Sequence, residues 1–113
     1  MLTKDKILSA DDLPKEVVNI DEWGDDVIVS TMNAKNREAY ERYYRDNKLE
    51  DEDLIRASLC AFCLVDEEGS RLFGLDDIVS LADKSSKVIG KLFLIAQRLN
   101  GLREQDLEEA AGE

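Results

Sequence analysis

The sequence predicts a mainly α (α+β) fold, a small helical domain with an N-terminal β-hairpin. Two short segments, Lys15–Ile20 and residues 26–32, alternate apolar and polar side chains and flank the turn-forming residues 21–25, which is typical of a hairpin with Trp23 near its tip. Most of the remaining chain has apolar residues at helical spacing, above all residues 87–99. With 113 residues, the chain has room for one modest core, so we expect a single domain over 1–113.

Two capping residues mark the helices of the N-terminal half. Thr3 can cap a short helix that runs to about Ala10, and Asn33 can cap a longer helix over residues 34–46. The longer helix carries Tyr40, Tyr43 and Tyr44 on one flank. Because a tyrosine buries its ring and keeps its hydroxyl wet, that flank is either the rim of the core or a contact surface.

An acidic run at residues 50–53 precedes a helix that we predict over residues 54–65. These four carboxylates can initiate the helix at its positive pole, or they can form an acidic binding run. The helix is apolar almost all round, which indicates that it is the central buried element. It contains the pair Cys60 and Cys63.

The last third of the chain alternates turns and helices. Residues 66–69 read as a turn, residues 71–73 as a short extended piece and residues 75–82 as a short helix. Ser85 or Ser86 can cap the last long helix over residues 87–99. Its apolar face spans more than half the circumference, so the helix is either sandwiched within the domain or partly faces another subunit. That face consists of Val88, Ile89, Leu92, Phe93, Ile95, Ala96 and Leu99.

The pair Asn100-Gly101 predicts the end of that helix, because glycine takes up the left-handed conformation that closes helices. The acidic C-terminal tail, residues 103–113, is too polar and too short for a core of its own. We expect it to dock loosely or to fray.

The charge balance excludes two classes of partner. The chain has 26 Asp and Glu and 15 Lys and Arg, which gives a net charge of −11. This charge argues against binding to nucleic acid and to anionic membranes. An acidic surface keeps a protein soluble or matches a basic partner. Neither a membrane-spanning run nor the apolar core of a signal peptide is found, so we expect a cytoplasmic protein.

The chain lacks the usual residues of catalytic sites. It contains no histidine to serve a Ser or Cys nucleophile, and its glycines form no phosphate-binding loop. Cys60 and Cys63 have no further Cys or His with which to hold zinc, and a redox pair would stand at the start of a helix, so buried reduced thiols are favoured. Residues 66–69 do not have the ligand spacing of a calcium loop. We therefore predict no enzyme, cofactor or metal site.

Four motifs occur together in an order that resembles the tail assembly chaperones of long-tailed (siphovirus-type) bacteriophages. They are the N-terminal Leu-Ser-Ala-Asp-Asp-Leu, the hairpin Val-Val-Asn-Ile/Glu-Trp-Gly/Val-Ile-Val, the turn Cys-Leu-Val-Asp-Glu-Glu-Gly-Ser-Arg-Leu-Phe and the stop Arg98-Leu99-Asn100-Gly101-Leu102. The resemblance covers nearly the whole chain.

The resemblance implies a non-catalytic protein of virion assembly in the host cytoplasm. It would bind the tape measure protein, a very long and largely helical chain, and keep it soluble until tail tube subunits polymerise around it. The resemblance also implies a homo-oligomer, a longer form made by ribosomal frameshifting and contact with the major tail tube protein. No catalytic residue is carried over from the family.

Seven aromatic and aliphatic residues are the candidates for partner binding, each of them equally suited to the core. They are Tyr40, Tyr43, Tyr44, Leu92, Phe93 and Ile95, with Trp23 as a second patch. An alternative function is an acidic binding protein, a nucleic-acid mimic or antitoxin that blocks a basic partner. That function predicts carboxylates spaced along one face, whereas here they gather at helix starts and turns.

Overall fold

A computed structural model describes residues 1–47 and 54–102, and within them five α-helices and a three-stranded antiparallel sheet of order β1-β2-β3. This confirms the mainly helical α+β class with an N-terminal hairpin. The acidic run 50–53 and the tail 103–113 lie outside the described residues. The elements are α1 (Lys4–Ser9), β1 (Lys15–Ile20), β2 (Asp25–Ser30), α2 (Ala34–Asn47), α3 (Ile55–Cys63), β3 (Leu64–Val65), α4 (Ile78–Ala82) and α5 (Ser86–Leu99).

The predicted hairpin forms and packs on the helices, but its second strand covers Asp25–Ser30 and not residues 26–32, since the N–H of Met32 donates to the Asn100 side chain and not to a strand. β1 pairs with β2 in a register that sets Val18 opposite Val27, and a 3-10 turn over Asp21–Trp23 joins the strands. Gly24 closes the turn at φ 79°, a conformation that favours glycine. Val18 and Val29 are buried in the core, so one face of the hairpin is part of the domain.

The predicted helix 54–65 is wrong at its C-terminal end. The helix stops at Cys63, and Leu64–Val65 form β3, with Leu64 opposite Val29 and Val65 opposite Ile28 of β2. Pairing with β2 satisfies the backbone N–H and C=O groups of both strands inside the core. If the helix continued for a further turn, these groups of β2 would lack hydrogen-bond partners. Val65 also forms a bridge to Arg71, where the chain returns after the predicted turn.

α3 lies at the centre of the core. All seven residues from Ala57 to Cys63 are buried. The inner side of α5 packs against both α3 and β2, and its buried residues are Val88, Ile89, Leu92 and Ala96. The opposite side of the helix is exposed, so the domain covers only part of its circumference. At its outer edge, Arg98 forms an ion pair of 2.8 Å with Glu16 of β1.

The predicted stop of α5 is confirmed and has the geometry of a Schellman motif. Gly101 has φ 63°, its N–H donates to the Arg98 carbonyl at 3.3 Å, and the N–H of Leu102 donates to the Gln97 carbonyl at 2.9 Å. The Leu102 side chain is buried, so the end of the helix is fastened to the core.

Asn100 joins this helix end to the start of α2. Its side-chain oxygen accepts a hydrogen bond of 2.7 Å from the Met32 N–H, and its amide nitrogen donates to the Ala96 carbonyl at 2.8 Å. Its backbone carbonyl accepts from the Arg37 guanidinium at 3.3 Å. One side chain therefore links two segments that are 68 residues apart in the chain.

The two cysteines are buried free thiols, as predicted, with Cys63 at the last position of α3. Burial in apolar surroundings raises the pKa of both the Cys60 and the Cys63 thiol to about 12. Each sulfur lies near a polar neighbour, Cys60 at 3.7 Å from the Ile89 carbonyl and Cys63 at 3.5 Å from the Asn100 amide nitrogen. The thiolate that redox chemistry requires is therefore disfavoured in the folded chain.

Replacing Asn100 by alanine should lower the free energy of unfolding by about 1–3 kcal/mol, because the N–H of Met32 loses its acceptor in a part-buried site. Urea unfolding measures this loss. Asn19→Ala is the matched control, since its side-chain bond to Asp26 is exposed, and it should cost less than about 0.5 kcal/mol. Equal losses in the two variants would contradict the role of Asn100.

At pH 8 a thiol-reactive dye should leave both cysteines of the native chain unmodified, and it should label both once denaturant is added. Because folding raises the pKa of both thiols from an unfolded value of about 8.5, their contribution to stability is complete below that pH and is lost as pH rises toward 12. Rapid labelling of the native chain at pH 8 would contradict the burial of the thiols.

Candidate interaction surfaces

The seven candidate contact residues divide into a buried and a half-buried group. Tyr40, Tyr44 and Leu92 are buried in the core, with at most 7 % of their surface exposed. Trp23, Tyr43, Phe93 and Ile95 are half-buried and pack against that core while keeping part of their surface in solvent. A partner can therefore touch the second group in this conformation but not the first.

The tyrosine flank of α2 is built around the Phe62 ring of α3. Tyr40 meets Phe62 edge to face at a centroid distance of 5.5 Å, and Tyr44 lies 6.4 Å from Tyr40. Among the described residues the Tyr40 hydroxyl has no hydrogen-bond partner, and burial raises the pKa of Tyr40. Two of the three tyrosines thus belong to the core.

Tyr43 borders a shallow pocket of about 250 Å³ between α2 and residues 71–75, which we call the return segment. The Arg71 guanidinium lies in this pocket, 4.1 Å above the centre of the Phe62 ring, in a cation–π contact. Burial lowers the pKa of Arg71 below its usual value. The Arg71 side chain also donates to the Ala61 carbonyl at 3.3 Å, so it is committed to holding the return segment on α3.

α5 has an exposed side, which we call the outer face of α5 and define as Lys87, Lys91, Leu94 and Arg98. Their spacings of three and four residues align them along one stripe of the helix, opposite the buried residues. Leu94 is 65 % exposed. Phe93 and Ile95 border this face on its two sides, and the Arg56 guanidinium lies 5.7 Å from the Phe93 ring centre. Leu94 was not among the predicted contact residues, although its helical position opposite Leu92 is a usable signal.

A second exposed apolar site lies beside the hairpin tip. The Trp23 groove, as we call it, has a volume of about 520 Å³, which falls within the range of pockets that bind small ligands. Its apolar wall is formed by Trp23, Phe73 and Leu81, and its polar rim by Glu22, Asp77, Ser80 and Lys84.

The N-terminal arm, defined as residues 1–13, contacts little of the domain. Thr3 caps α1 through a bond from the Lys6 N–H of 3.3 Å, yet α1 has no buried residue. Leu2 and Leu8 are each 73 % exposed and Ile7 is 54 % exposed. The sequence predicts this helix correctly, but it does not predict that the helix lies free of the core.

Over residues 1–47 and 54–102, no cluster of carboxylates and cysteines has the arrangement needed to hold a metal ion. None of the helices in these ranges combines the length and apolar content needed to cross a membrane.

Comparison with known proteins gives a match in structure. No model of a known protein family matches this chain, and neither does any curated protein. Among solved structures, the bacteriophage HK97 tail assembly chaperone has a similar fold, with a TM-score of 0.60 and 16% sequence identity, over 88% of this chain and 95% of that chain. At this identity the likeness is one of fold. The resemblance to tail assembly chaperones that the sequence motifs indicate is thus confirmed in the arrangement of the backbone.

Proposed function

We propose that this protein is a non-catalytic phage tail assembly chaperone, which binds the tape measure protein, keeps it soluble and promotes assembly of the tail tube in the host cytoplasm. One observation carries the proposal: the fold is shared with the HK97 tail assembly chaperone over 88% of the chain. The four sequence motifs that resemble the same family support it independently.

The physical task of such a chaperone is to cover apolar surface. A long helical client exposes an apolar stripe before the tube encloses it, and that stripe would aggregate in water. Many bound copies of a small protein with a net charge of −11 would cover the stripe. Client chains coated in this way would repel one another.

We assign the client contact to the outer face of α5. The inner side of this helix is fixed between α3 and β2, so the outer face is held on a rigid support. Leu94 supplies an exposed apolar anchor, and the long stem of Lys91 can extend the apolar contact while its charge stays in water. Arg98 closes the face at its other end, where its guanidinium is paired with Glu16. This pattern fits an amphipathic client helix that has acidic residues beside its apolar stripe.

Self-association is part of the same proposal. Apart from the outer face of α5, the chain exposes further large apolar side chains, among them Leu8 of the N-terminal arm at 73 % and Val79 of α4 at 62 %. Surfaces of this kind favour contacts between copies. Contacts with the major tail tube protein and with a longer frameshifted form are further parts of the proposal.

The alternative, an acidic mimic or antitoxin, receives less support from the placement of the carboxylates. Several of them cap their own backbone: Asp66 accepts from the N–H groups of Glu68 and Ser70 at 2.9 Å, and Asp77 accepts from that of Gly74 at 2.8 Å. Carboxylates engaged in turns are poorly placed to imitate a regular row of phosphates.

Leu94→Asp should reduce recovery of the tape measure protein in a co-expression pull-down about tenfold, because a charge replaces the central apolar anchor. Leu72→Asp is the control, since it introduces the same charge at a loop residue that is 49 % exposed and outside the outer face of α5. It should leave recovery unchanged.

Two results would count against this proposal in different ways. If the unmodified chain recovers no tape measure protein while both are soluble, the chaperone function is wrong. If Leu94→Asp and Leu72→Asp reduce recovery equally, the function stands and the outer face of α5 is not the contact surface.

A further inference from the structure

The outer face of α5 differs from the rest of this acidic chain in its charge. α5 carries three cations, Lys87, Lys91 and Arg98, and no carboxylate, whereas α2 mixes its cations with carboxylates. Arg98 is paired with Glu16, but among the described residues Lys87 and Lys91 form no ion pair. The face therefore offers two unpaired cations beside the exposed Leu94, and it attracts a segment that combines carboxylates with apolar side chains.

The acidic C-terminal tail, residues 103–113, has this combination in its own sequence. Leu107, Ala110 and Ala111 recur at spacings of three and four residues, as the apolar residues of one helix face do. Five carboxylates and a single cation accompany them. We infer that the tail covers the outer face of α5 in its own chain, with Leu107 against Leu94 and its carboxylates beside the lysines. This rests on the proposed function only in taking that face as the client surface.

The end of α5 places the tail within reach of this face. The Schellman turn at Gly101 ends the helix, and the buried Leu102 fixes the start of the tail at the core. Along α5, the eight residues from Leu94 to Leu102 correspond to about 12 Å. The five residues from Leu102 to Leu107 span up to about 17 Å, so Leu107 can lie on Leu94 without any change in the described fold.

A tail in this position competes with the client for one surface. A tethered segment acts at an effective concentration on the order of millimolar, so a weak contact is enough to keep the face covered. The client must displace the tail, and its apparent affinity falls by the fraction of chains in which the face is open. The tail therefore shields Leu94 from chance apolar contacts until a client with a longer apolar stripe displaces it.

Paramagnetic relaxation in NMR tests the tail contact without any client. Glu109→Cys provides a thiol for a nitroxide label outside the apolar spacing of the tail, while Cys60 and Cys63 stay unlabelled because they are buried. The label should broaden the backbone amide signal of Lys91, on the outer face of α5, severalfold more than that of Lys15 in β1.

Lys15 is the reference because it lies near the start of the tail. The Thr31 hydroxyl donates to the carbonyl of Pro14, the neighbour of Lys15, at 2.8 Å and to that of Leu99 at 3.4 Å. A tail without a preferred site would therefore broaden the Lys15 signal at least as much as the Lys91 signal. That result would overturn the inference.

Two variants of the labelled chain separate the apolar contact from a general effect of substitution. Leu107→Ser removes the apolar anchor of the tail and should reduce the broadening of Lys91 to the level of Lys15 or below. Leu2→Ser is the matched control, since it makes the same change at a leucine of the N-terminal arm that is 73 % exposed, and it should leave the pattern unchanged. A pattern that survives Leu107→Ser would overturn the inference, and so would one that arises between a labelled copy and a separate observed copy.

Recovery of the tape measure protein gives a second readout. In the co-expression pull-down, Leu107→Ser should raise recovery severalfold over the unmodified chain and over Leu2→Ser, because the tail no longer competes. If all three recover the client equally, the tail does not cover the client surface and the inference falls, while the proposed function stands. If none of them recovers the client and the broadening pattern holds, the proposed function is wrong and the tail contact stands.

Discussion

Burial of α3 on every side is the constraint to which the other elements of the fold respond. Seven consecutive residues of this helix are shielded from water, so the helix needs partners around its whole circumference. α5 covers one side, the tyrosines of α2 cover another through the Phe62 ring, and α4 and the sheet complete the shell. Because the inner side of α5 is used in this way, its outer face is left as a rigid exposed surface.

Features that depend on local chemistry could be predicted from the sequence. The caps at Thr3 and Asn33, the hairpin turn and the Asn100-Gly101 stop each depend on residues within a few positions of one another. The strand Leu64–Val65 was missed because its formation depends on β2, some 35 residues earlier in the chain, and an apolar run cannot show whether it ends as helix or strand.

The candidate site was predicted only in part, for a similar reason. Helical spacing identified which residues of α5 are apolar, but only the packing shows that Leu92 is at the centre of the core and Leu94 on the outside. Tyr40 and Tyr43 share a flank in the sequence pattern, yet Tyr40 packs against the Phe62 ring and Tyr43 borders a pocket. The N-terminal arm has the capping residue of a helix, and the sequence of the helix alone does not show that none of its residues packs in the core.

The distribution of charge agrees with a protein that works by covering another chain. Asp66 and Asp77 are engaged in turns, while Lys87 and Lys91 accompany the exposed Leu94 of α5. The most direct test of this account is to dilute unfolded tape measure protein into buffer with increasing amounts of the purified chain and to follow light scattering. The account predicts that scattering falls until several copies are present per client and then stays low. Scattering that is unchanged at any ratio would contradict it.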